Sequence, residues 1–521
     1  MATKQERAEL HKTIWKIAND LRGAIDGWNF KAYVLGSIFY RFISENICDY
    51  IQQLMEEAGQ PNFDYAAISD QEAEKIRKKM VQEKGYFILP SQLFQNVTKN
   101  AEKDENLNEH LSQIFRSIEA SAKGTASEDD LRGLFSDFAV DNAELGSTVI
   151  KRNQLLAKVL KTVAAMDLGS KYDDTENDTI GDTYEFLMGM YASSAGKSGG
   201  EYFTPQQVSE LLARLASWHN NNIQKVYDPA CGSGSLLLKF KKILGKDNPN
   251  LKFFGQEVNP TTYNLCRINM FLHNVNFDNF DIALEDTLLK PQHMDVAPFD
   301  AIVSNPPYSL EWVGKDNPLL INDERYAPAG VLAPKSAADW DFAMHMLWHL
   351  SEQGTAAIVE FPGILYRSGA EEKIRQFMVK NNHVDTVIQL PANLFFGVGI
   401  ATCIIVLKKS AKVDSSVLFI DATKLFQKEG NKNILLPEHQ DKIMELYANR
   451  KDVDYLSKLV KNDDILANNS NLSVSSYVEQ EDTREVIDIK AVNTTLEQLI
   501  AEGIELNKKI DGIIKELEGK K

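Results

Sequence analysis

The stretch Lys225-Val226-Tyr227-Asp228-Pro229-Ala230-Cys231-Gly232-Ser233-Gly234-Ser235 decides the fold of this chain. A strand-like run stops at Asp228, and the small residues after it allow a sharp turn into a helix. Such a turn brings backbone amides and a helix N-terminus to the end of a strand, where they can approach a ligand. The stretch therefore predicts a strand, a binding turn and a helix in succession.

Segments of strand and helix type alternate on both sides of this turn. Strands are predicted at 225–228, 252–257, 281–285, 299–304, 355–361 and 384–390, before a strand pair formed by 400–408 and 417–421. The alternation predicts an α/β fold with a doubly wound, Rossmann-like sheet. Ligands of such sheets bind at the carboxyl ends of the strands, where the turn after Asp228 is expected to lie.

The remaining chain divides by its pattern into further regions. Residues 1–165 read as a helical N-terminal domain, 166–425 as the α/β domain, 426–480 as an extension and 481–521 as a C-terminal docking helix. The docking helix is predicted from a heptad seam of the coiled-coil type, made by Val492, Leu496, Leu499, Gly503, Leu506, Ile510, Ile513 and Leu517. A helix folded back on its own domain is the alternative. The long segment 309–338 is either a lid or a disordered insertion.

The composition is that of an ordinary globular protein of 521 residues, with 43% hydrophobic and 25% charged side chains. No apolar run reaches membrane-spanning length and the start is polar, so a cytoplasmic location without membrane association is expected. The four cysteines are scattered and predict reduced thiols rather than disulfides. The net charge of −17 argues against a protein that grips duplex DNA unaided.

Two acidic residues near the ends of the following strands indicate what the turn binds. Glu257 is placed to accept hydrogen bonds from the two hydroxyls of a ribose, and Asp286 to bond an adenine amine. The turn lacks the full GxGxxG that cradles a pyrophosphate, so S-adenosylmethionine fits better than NAD. A merely structural turn is the alternative. The cofactor-binding residues predicted in the turn are Asp228, Ala230, Cys231, Gly232, Ser233, Gly234 and Ser235.

A second segment, upstream of the turn, is predicted to close over the cofactor. Thr204 is a plausible N-cap and Pro205 suits the first position of a helix that starts near Gln206. The backbone here and the Phe203 ring can cover the methionine and adenosine portions. The segment consists of Glu201, Tyr202, Phe203, Thr204, Pro205 and Gln206.

The motif Asn305-Pro306-Pro307-Tyr308 carries the predicted chemistry. An aromatic amine is a poor nucleophile because its lone pair is delocalised, and acceptors for both of its hydrogens draw that pair towards an attacking geometry. Asn305 offers a side-chain oxygen and Pro306 a backbone carbonyl, preorganised by the prolines. Tyr308 is predicted to stack on the heterocycle. The motif indicates methyl transfer to a planar nitrogen, which in duplex DNA requires a flipped-out base. A rigid proline turn is the alternative.

Three other patterns are weaker. His345 and His349 are spaced like zinc ligands, yet Met346 replaces the glutamate of HExxH, so a packed helix is expected and no metal is predicted. Cys231 has no adjacent basic residue to lower its pKa, which argues against cytosine C5 methylation. Gly196-Lys197-Ser198 fails as a phosphate loop because Tyr191 stands where the first glycine should be.

Taken in order, the motifs resemble a known family. GEYFTP, DPACGSGS, GQEVNP and NPPY, followed by Phe395-Phe396-Gly397-Val398-Gly399-Ile400-Ala401-Thr402, resemble the gamma-type amino-methyltransferases of DNA. The helical N-terminal region, DWDFAMHML at 339–347, and Asn471-Leu472-Ser473-Val474 leading to Tyr477-Val478 are similar to the modification subunit of type I restriction-modification systems, HsdM. The similarity spans nearly the whole chain.

This resemblance implies N6-adenine methylation with S-adenosylmethionine, in a sequence chosen by a partner. It implies two such subunits around one specificity subunit, bound to DNA, and recruitment of a restriction subunit that acts as a translocase. The family motif places 201–206, 231–235 and Glu257 around the cofactor, and 305–308 around adenine. A departure is Cys231, where another small residue is common, and it is expected to be harmless.

Alternatives remain at this point. The same acceptors suit cytosine N4, an RNA base or a protein glutamine, so a stand-alone amino-methyltransferase is the second hypothesis. A non-enzymatic assembly scaffold that keeps the fold is the third, although the intact motif at 305–308 and Glu257 argue against it.

Overall fold

The computed structural model describes residues 27–166, 187, 204–220, 222–245, 248–395, 399–430, 432–481 and 488–519. The chain separates into two units, Met1–Val478 and Glu479–Lys521, and each is described by itself. Within these described ranges no helix has both the length and the apolar character needed to cross a bilayer.

The helices of the first unit fall into a helical N-terminal region and a set that packs on a sheet. Those of the N-terminal region are α1 (Gly27–Glu57), α2 (Asp70–Ala73), α3 (Arg77–Lys84), α4 (Phe94–Asn100), α5 (Leu107–Ser121), α6 (Glu128–Leu131) and α7 (Val149–Ala164). Those that follow are α8 (Gln206–Ser217), α9 (Ser235–Leu244), α10 (Pro260–Leu272), α11 (Asp339–His349), α12 (Ala370–Lys380), α13 (Pro437–Asn449) and α14 (Asn462–Ala467).

A large mixed sheet forms the centre of this unit. Its strands are β1 (Lys225–Asp228), β2 (Lys252–Glu257), β3 (Phe280–Leu284), β4 (Phe299–Ser304), β5 (Leu350–Glu360), β6 (Val384–Gln389), β7 (Cys403–Lys408), β8 (Ser416–Asp421) and β11 (Ser457–Lys461). Their order across the sheet is β11-β8-β6-β7-β5-β4-β1-β2-β3, and β9 (Gln427–Glu429) pairs with β10 (Lys432–Ile434) in a separate hairpin. The predicted α/β sheet with helices on both faces is therefore confirmed.

The strand order determines where a ligand can bind. β2 and β3 follow β1 on one side of it, whereas the next strand, β4, lies on its other side. Both β2 and β4 are parallel to β1, so the direction of winding reverses between β1 and β4. A crevice opens at such a reversal, beyond the carboxyl ends of the strands. The turns after Asp228 and Ser304 both leave the sheet at this point.

One prediction about the far half of the sheet is wrong. The segments 400–408 and 417–421 do form β7 and β8, but they are not a strand pair, because β6 lies between them. β6 is antiparallel to β7 and parallel to β8. The sheet also continues into the predicted extension, where β11 pairs antiparallel with β8.

Each face of the sheet has its own apolar core. Alternation along β1 sends Val226 to one face and Tyr227 to the other. The first core takes in the helical N-terminal region together with α8, α9, α10 and α13. The second takes in α11, α12, α14 and part of the segment 309–338.

The helical N-terminal region is held on α10 by a buried arginine. Nη1 of Arg267 donates to the backbone oxygens of Asp129, Asp130 and Arg132, at 2.8, 3.1 and 3.0 Å. Its guanidinium carbon lies 4.2 Å from the centre of the Tyr263 ring. Arg267 is 1% exposed, so its guanidinium has little access to water and depends on these carbonyls for its hydrogen bonds.

Replacing Arg267 by Ala is expected to lower the free energy of unfolding by about 3 kcal/mol, because it removes a buried side chain together with its hydrogen bonds to three backbone oxygens. Denaturant unfolding of the purified chain measures this. Arg214→Ala is the matched control, since Arg214 pairs with Asp441 at the surface and its loss is expected to cost less than ~1 kcal/mol. Equal effects of the two substitutions would contradict the anchoring role of Arg267.

The segment 309–338 is a packed part of the structure, so its interpretation as a disordered insertion is wrong. Arg325 is 1% exposed and donates through Nη1 and Nη2 to the backbone oxygens of Thr287 and Leu288, both at 2.8 Å. The Tyr326 hydroxyl also donates to the Leu288 oxygen, at 3.1 Å. The segment is thereby tied to the chain just after β3. Its role as a lid stays a prediction.

The second unit contains one helix, α15 (Ile489–Glu518), among its described residues. Asp488 caps it by accepting from the amides of Lys490 and Ala491. All members of the predicted seam, from Val492 to Leu517, are exposed. The helix is confirmed, and the docking function of its apolar stripe stays a prediction.

Candidate active site

The turn after β1 has the sharp geometry that its small residues predict. Gly232 and Gly234 have φ angles of 54° and 78°, a left-handed conformation that favours glycine. A side chain at Gly234 would also place its Cβ 2.8 Å from the sulfur of Cys266 on α10. The turn therefore passes close to α10 and opens directly into α9 at Ser235.

Glu257, the last residue of β2, contacts this turn. One of its carboxylate oxygens accepts from the Gly232 amide at 3.1 Å and the other from the Asn259 amide at 2.8 Å. Burial raises the pKa of Glu257. Each oxygen has further lone pairs, so a carboxylate fixed in this way can accept additional hydrogen bonds from a ligand.

Asp286 lies just beyond β3 and organises its own turn. One carboxylate oxygen accepts from the amides of Leu288 and Leu289, at 2.9 and 3.1 Å. The neighbouring Thr287 hydroxyl donates to the Pro229 backbone oxygen at 2.6 Å, which joins this turn to the one after β1.

Sequence reasoning missed Val258, an apolar side chain at the same edge of the sheet. It follows Glu257 directly and is 66% exposed. An exposed apolar side chain beside a carboxylate can pack against the face of a nucleobase. Its position directly after Glu257, the acidic residue that ends β2, was the feature of the sequence that could have pointed to it.

Asp228 links the two turns that the sequence singled out. One carboxylate oxygen accepts from the Ala230 amide and from the Ser304 hydroxyl, both at 3.0 Å. The other oxygen is buried and has no hydrogen-bond partner among the described residues. Burial raises the pKa of Asp228 to about 7. The end of β1 is thus bonded to the end of β4, where the motif 305–308 begins.

Asn305 is the centre of a second set of hydrogen bonds. Its side-chain nitrogen donates to the Thr204 hydroxyl at 3.0 Å, and its side-chain oxygen accepts from the Tyr308 hydroxyl at 2.6 Å. The oxygen predicted to accept from the target amine is therefore engaged by Tyr308 in this structure. Pro306 is buried and Pro307 half-buried in the same turn.

The predicted helix start at Gln206 is confirmed, but the predicted cap is wrong. Pro205 is the N-cap residue of α8, and no side chain caps this helix. The Thr204 hydroxyl instead bonds to Asn305, across 101 residues of sequence. Both polar atoms of the Gln206 side chain are buried without a hydrogen-bond partner among the described residues. Glu201, Tyr202 and Phe203 lie outside the described residues, as do 396–398.

The rejected candidates have structural roles. A hydrogen bond with the Cys266 thiol and burial raise the pKa of Cys231 well above its usual value, which disfavours a reactive thiolate. The His345 ring accepts from Arg325 through Nδ1 at 3.0 Å, so its Nε2 carries the proton and donates to the Tyr227 hydroxyl at 3.0 Å. Burial lowers the pKa of His345 well below its usual value. The helix that carries His345 and His349 is packed, as predicted.

The predicted residues are therefore brought together at one edge of the sheet, except those that lie outside the described ranges. Thr204, Asn305 and Tyr308 form one hydrogen-bonded set, and Asp228 with Ser304 joins it to the turn after β1. Glu257 contacts that turn from the other side. The arrangement can hold a nucleoside-like cofactor next to a pair of amine acceptors.

Comparisons with known proteins identify the family of the chain. Residues 175–486 match the family described as N-6 DNA Methylase, and residues 10–163 match the HsdM N-terminal domain. The chain is similar to the type I restriction enzyme MpnII methylase subunit of Mycoplasma pneumoniae, with 44% identity over 98% of this chain and 97% of that protein. It is also similar to the MjaVIII methylase subunit of Methanocaldococcus jannaschii, with 31% identity over 67% of this chain and 61% of that protein.

A solved structure supports the same assignment. The type I restriction-modification methyltransferase subunit from Streptococcus thermophilus superposes with a TM-score of 0.82 and 33% identity, covering 91% of this chain and all of that one. The coverage includes both the helical N-terminal region and the sheet. The chain thus belongs to the N-6 DNA methylase family, as one of the methylase subunits of type I restriction enzymes.

Proposed function

We propose that this chain transfers the methyl group of S-adenosylmethionine to N6 of an adenine flipped out of DNA, as the modification subunit of a type I restriction-modification complex. The observation that carries the proposal is the junction of the two turns. Asn305, the amine acceptor, follows Ser304, whose hydroxyl donates to Asp228 at the start of the cofactor turn. The two substrates of a methyl transfer would therefore meet at the reversal point of the sheet.

The residues of the site fit S-adenosylmethionine. Glu257 offers a half-buried carboxylate for the ribose hydroxyls, and Val258 an apolar face for the adenine. The unpartnered polar atoms of Asp228 and Gln206 lie on the two segments predicted to line the cofactor. When bound, this cofactor supplies an electrophilic methyl group.

The chain's own residues prepare the amine. Asn305 and the Pro306 carbonyl accept its two hydrogens, which draws the nitrogen lone pair out of conjugation and stabilises the positive charge that grows there. The Thr204 hydroxyl accepts from the Asn305 nitrogen, which holds the amide and leaves its oxygen as the acceptor for the target amine. The Asn305 oxygen accepts from the Tyr308 hydroxyl in this structure and has a second lone pair for the amine, and we expect the bond to Tyr308 to break when its ring turns to stack on the base.

Adenine in DNA is favoured over the other planar nitrogens. Membership of the N-6 DNA methylase family favours it over cytosine N4, RNA or glutamine. The absence of an activating base near Cys231 among the described residues, together with its raised pKa, disfavours carbon methylation.

In this proposal, partner subunits supply the recognition of the target sequence and the cleavage of DNA. We assign sequence choice to a specificity subunit that binds two copies of the chain, and cleavage to a restriction subunit that acts as a translocase. The net charge of −17 disfavours unaided binding to duplex DNA, and the exposed apolar stripe of α15 suits helix–helix docking to such a partner. The complex would act on DNA in the cytoplasm.

The test is reconstitution with the specificity subunit encoded beside this chain. Tritiated methyl transfer onto defined duplexes, followed by analysis of methylated nucleosides, is expected to give N6-methyladenine and to require both proteins. N4-methylcytosine, or full activity of the chain alone on DNA, would contradict the proposal. So would tight, sequence-specific retention of duplex DNA by the isolated chain in a gel-shift assay.

Replacing Glu257 by Gln is expected to weaken binding of S-adenosylmethionine by about 10- to 100-fold, because hydrogen bonds to a charged acceptor are worth ~1.5–3 kcal/mol. Titration calorimetry on the purified chain measures this. Glu285→Gln is the control, since Glu285 follows the neighbouring strand but pairs with Lys290. Unchanged affinity in Glu257→Gln would exclude Glu257 from the cofactor site.

A further inference from the structure

Tyr308 borders a group of buried acidic side chains that the mechanism above does not use. Asp339 begins α11 and is 2% exposed, and Glu360 ends β5 and is fully buried. Burial raises the pKa of Tyr308, and the charges of Glu360, Cys403 and Asp339 raise it further. These groups therefore lie close to the ring that is proposed to stack on the target base.

Asp339 holds the residue that follows Tyr308. One of its carboxylate oxygens accepts from the Ser309 amide at 2.8 Å. Ser309 has a φ of 52°, a left-handed conformation that a residue other than glycine adopts at a cost unless the surroundings fix it. The amide of Ala338 donates to the Leu310 backbone oxygen at 3.1 Å, so a second hydrogen bond joins the same two stretches of chain. The direction in which Tyr308 leaves the chain thus depends on Asp339.

The second oxygen of Asp339 and both oxygens of Glu360 have no hydrogen-bond partner among the described residues. Burial raises the pKa of Glu360 well above its usual value, and the neighbouring Asp339 and Glu371 raise it further, while the nearby backbone amide of Phe361 lowers it. The cations nearby, Arg367 and Arg375, lie beside Glu371 instead. The thiol of Cys403, on the neighbouring strand, donates a hydrogen bond to the Glu360 backbone oxygen.

Two neighbouring buried carboxyl groups cannot both carry a charge at moderate cost. A proton on Glu360 removes one of the charges and supplies a donor for the unpartnered oxygen of Asp339. The Asp339 carboxylate is then fixed on one side by Ser309 and on the other by Glu360.

We propose that Glu360 carries a proton that it donates in a hydrogen bond to Asp339, and that the two residues position Tyr308, so that methyl transfer fails when this proton is lost. The inference rests on the proposed function, in which the Tyr308 ring stacks on the target base. With both groups ionised, their repulsion separates Asp339 from Glu360 and releases Ser309. Neither group touches the base or the cofactor.

The proton on Glu360 can be tested without measuring methylation. Infrared spectra of the purified chain are recorded well above pH 7, where Asp130, Asp228 and Asp341, whose pKa values burial raises to about 7, have largely ionised. The carbonyl band of a protonated carboxylic acid is expected to remain in the wild type and in Glu371→Gln, and to be lost in Glu360→Gln. A band that survives in Glu360→Gln, or is missing from the wild type, would overturn the proposal.

The functional consequence is measured as a pH profile of single-turnover methylation in the reconstituted complex. The wild-type rate is expected to fall on the alkaline side, while Glu360→Gln, whose neutral amide donates at every pH, keeps the neutral rate and loses that decline. Glu360→Leu, which cannot donate, is expected to be about tenfold slower at all pH values. Identical profiles for the wild type and Glu360→Gln, or equal rates for the Gln and Leu variants, would overturn the positioning role.

The two experiments separate this inference from the proposed function. If the wild type forms no N6-methyladenine, the function is wrong, and the infrared bands still decide whether Glu360 carries the proton. If methylation is normal and independent of Glu360, only the positioning role is wrong.

Discussion

Asn305→Ala is expected to lower the turnover of adenine methylation by at least about 10²-fold, while the complex still assembles and binds S-adenosylmethionine. The reason is that the Asn305 oxygen acts where charge develops, and removal of one such preorganised group typically costs about 10²–10³-fold in kcat. Single-turnover transfer of a tritiated methyl group measures the loss. Calorimetry and size-exclusion chromatography show that binding and assembly persist.

One companion variant and one matched control test which atom of Asn305 matters. Thr204→Val removes the hydroxyl that accepts from the Asn305 nitrogen at 3.0 Å and leaves the acceptor oxygen in place, so an intermediate loss of about tenfold is expected. Asn317→Ala is the matched control, because Asn317 organises a turn in the segment 309–338 by accepting from the Leu319 amide. Wild-type turnover in Asn305→Ala, or an equal loss in Asn317→Ala, would defeat the proposed role.

The strand ends that carry the site were predictable from local patterns. Apolar runs stop at Asp228, Glu257 and Ser304, and the structure ends β1, β2 and β4 at these residues. Parallel strands of a doubly wound sheet end at one edge, so the sequence pattern alone predicts that the binding turns lie together. The glycines of the turn adopt the left-handed conformation that the pattern required.

The features that depend on distant contacts were not predictable. The position of β6 between β7 and β8 depends on packing across the whole sheet. The order of the strands along the sequence does not reveal it. β11 escaped notice because lysines flank its short apolar run, as is common at a sheet edge. β5 begins at Leu350, five residues before the predicted start, through a polar stretch.

The same limit applies within the site. The sequence assigned the Asn305 oxygen to the target amine and the Tyr308 ring to the base, but it gave no sign that the Tyr308 hydroxyl bonds to that oxygen. Thr204 looked like a helix cap because its local neighbours suit one, whereas its hydroxyl meets a side chain far along the chain. The proposed pairing of Asp339 with Glu360 likewise depends on the packing of α11 against β5.

Tyr308→Ala and Tyr308→Phe are expected to separate the two roles of this side chain. The alanine variant loses the ring and should lower kcat/KM for DNA by about 10- to 100-fold, since stacking of a base on an aromatic side chain is worth ~1–3 kcal/mol. The phenylalanine variant keeps the ring and frees the Asn305 oxygen from the hydroxyl that lies 2.6 Å away. It should therefore keep most of the activity and bind the target base at least as tightly.

A mismatch opposite the target adenine distinguishes the defect of Tyr308→Ala from that of Asn305→Ala. The mismatch lowers the cost of flipping the base, so it offsets lost stacking but cannot replace a lost amine acceptor. We expect mismatched duplexes to restore part of the rate in Tyr308→Ala and none of it in Asn305→Ala, with both rates measured in single turnovers. Equal rescue of the two variants would mean that Asn305 and Tyr308 act in the same step. It would then be wrong to assign activation of the nitrogen to Asn305 and holding of the base to the Tyr308 ring.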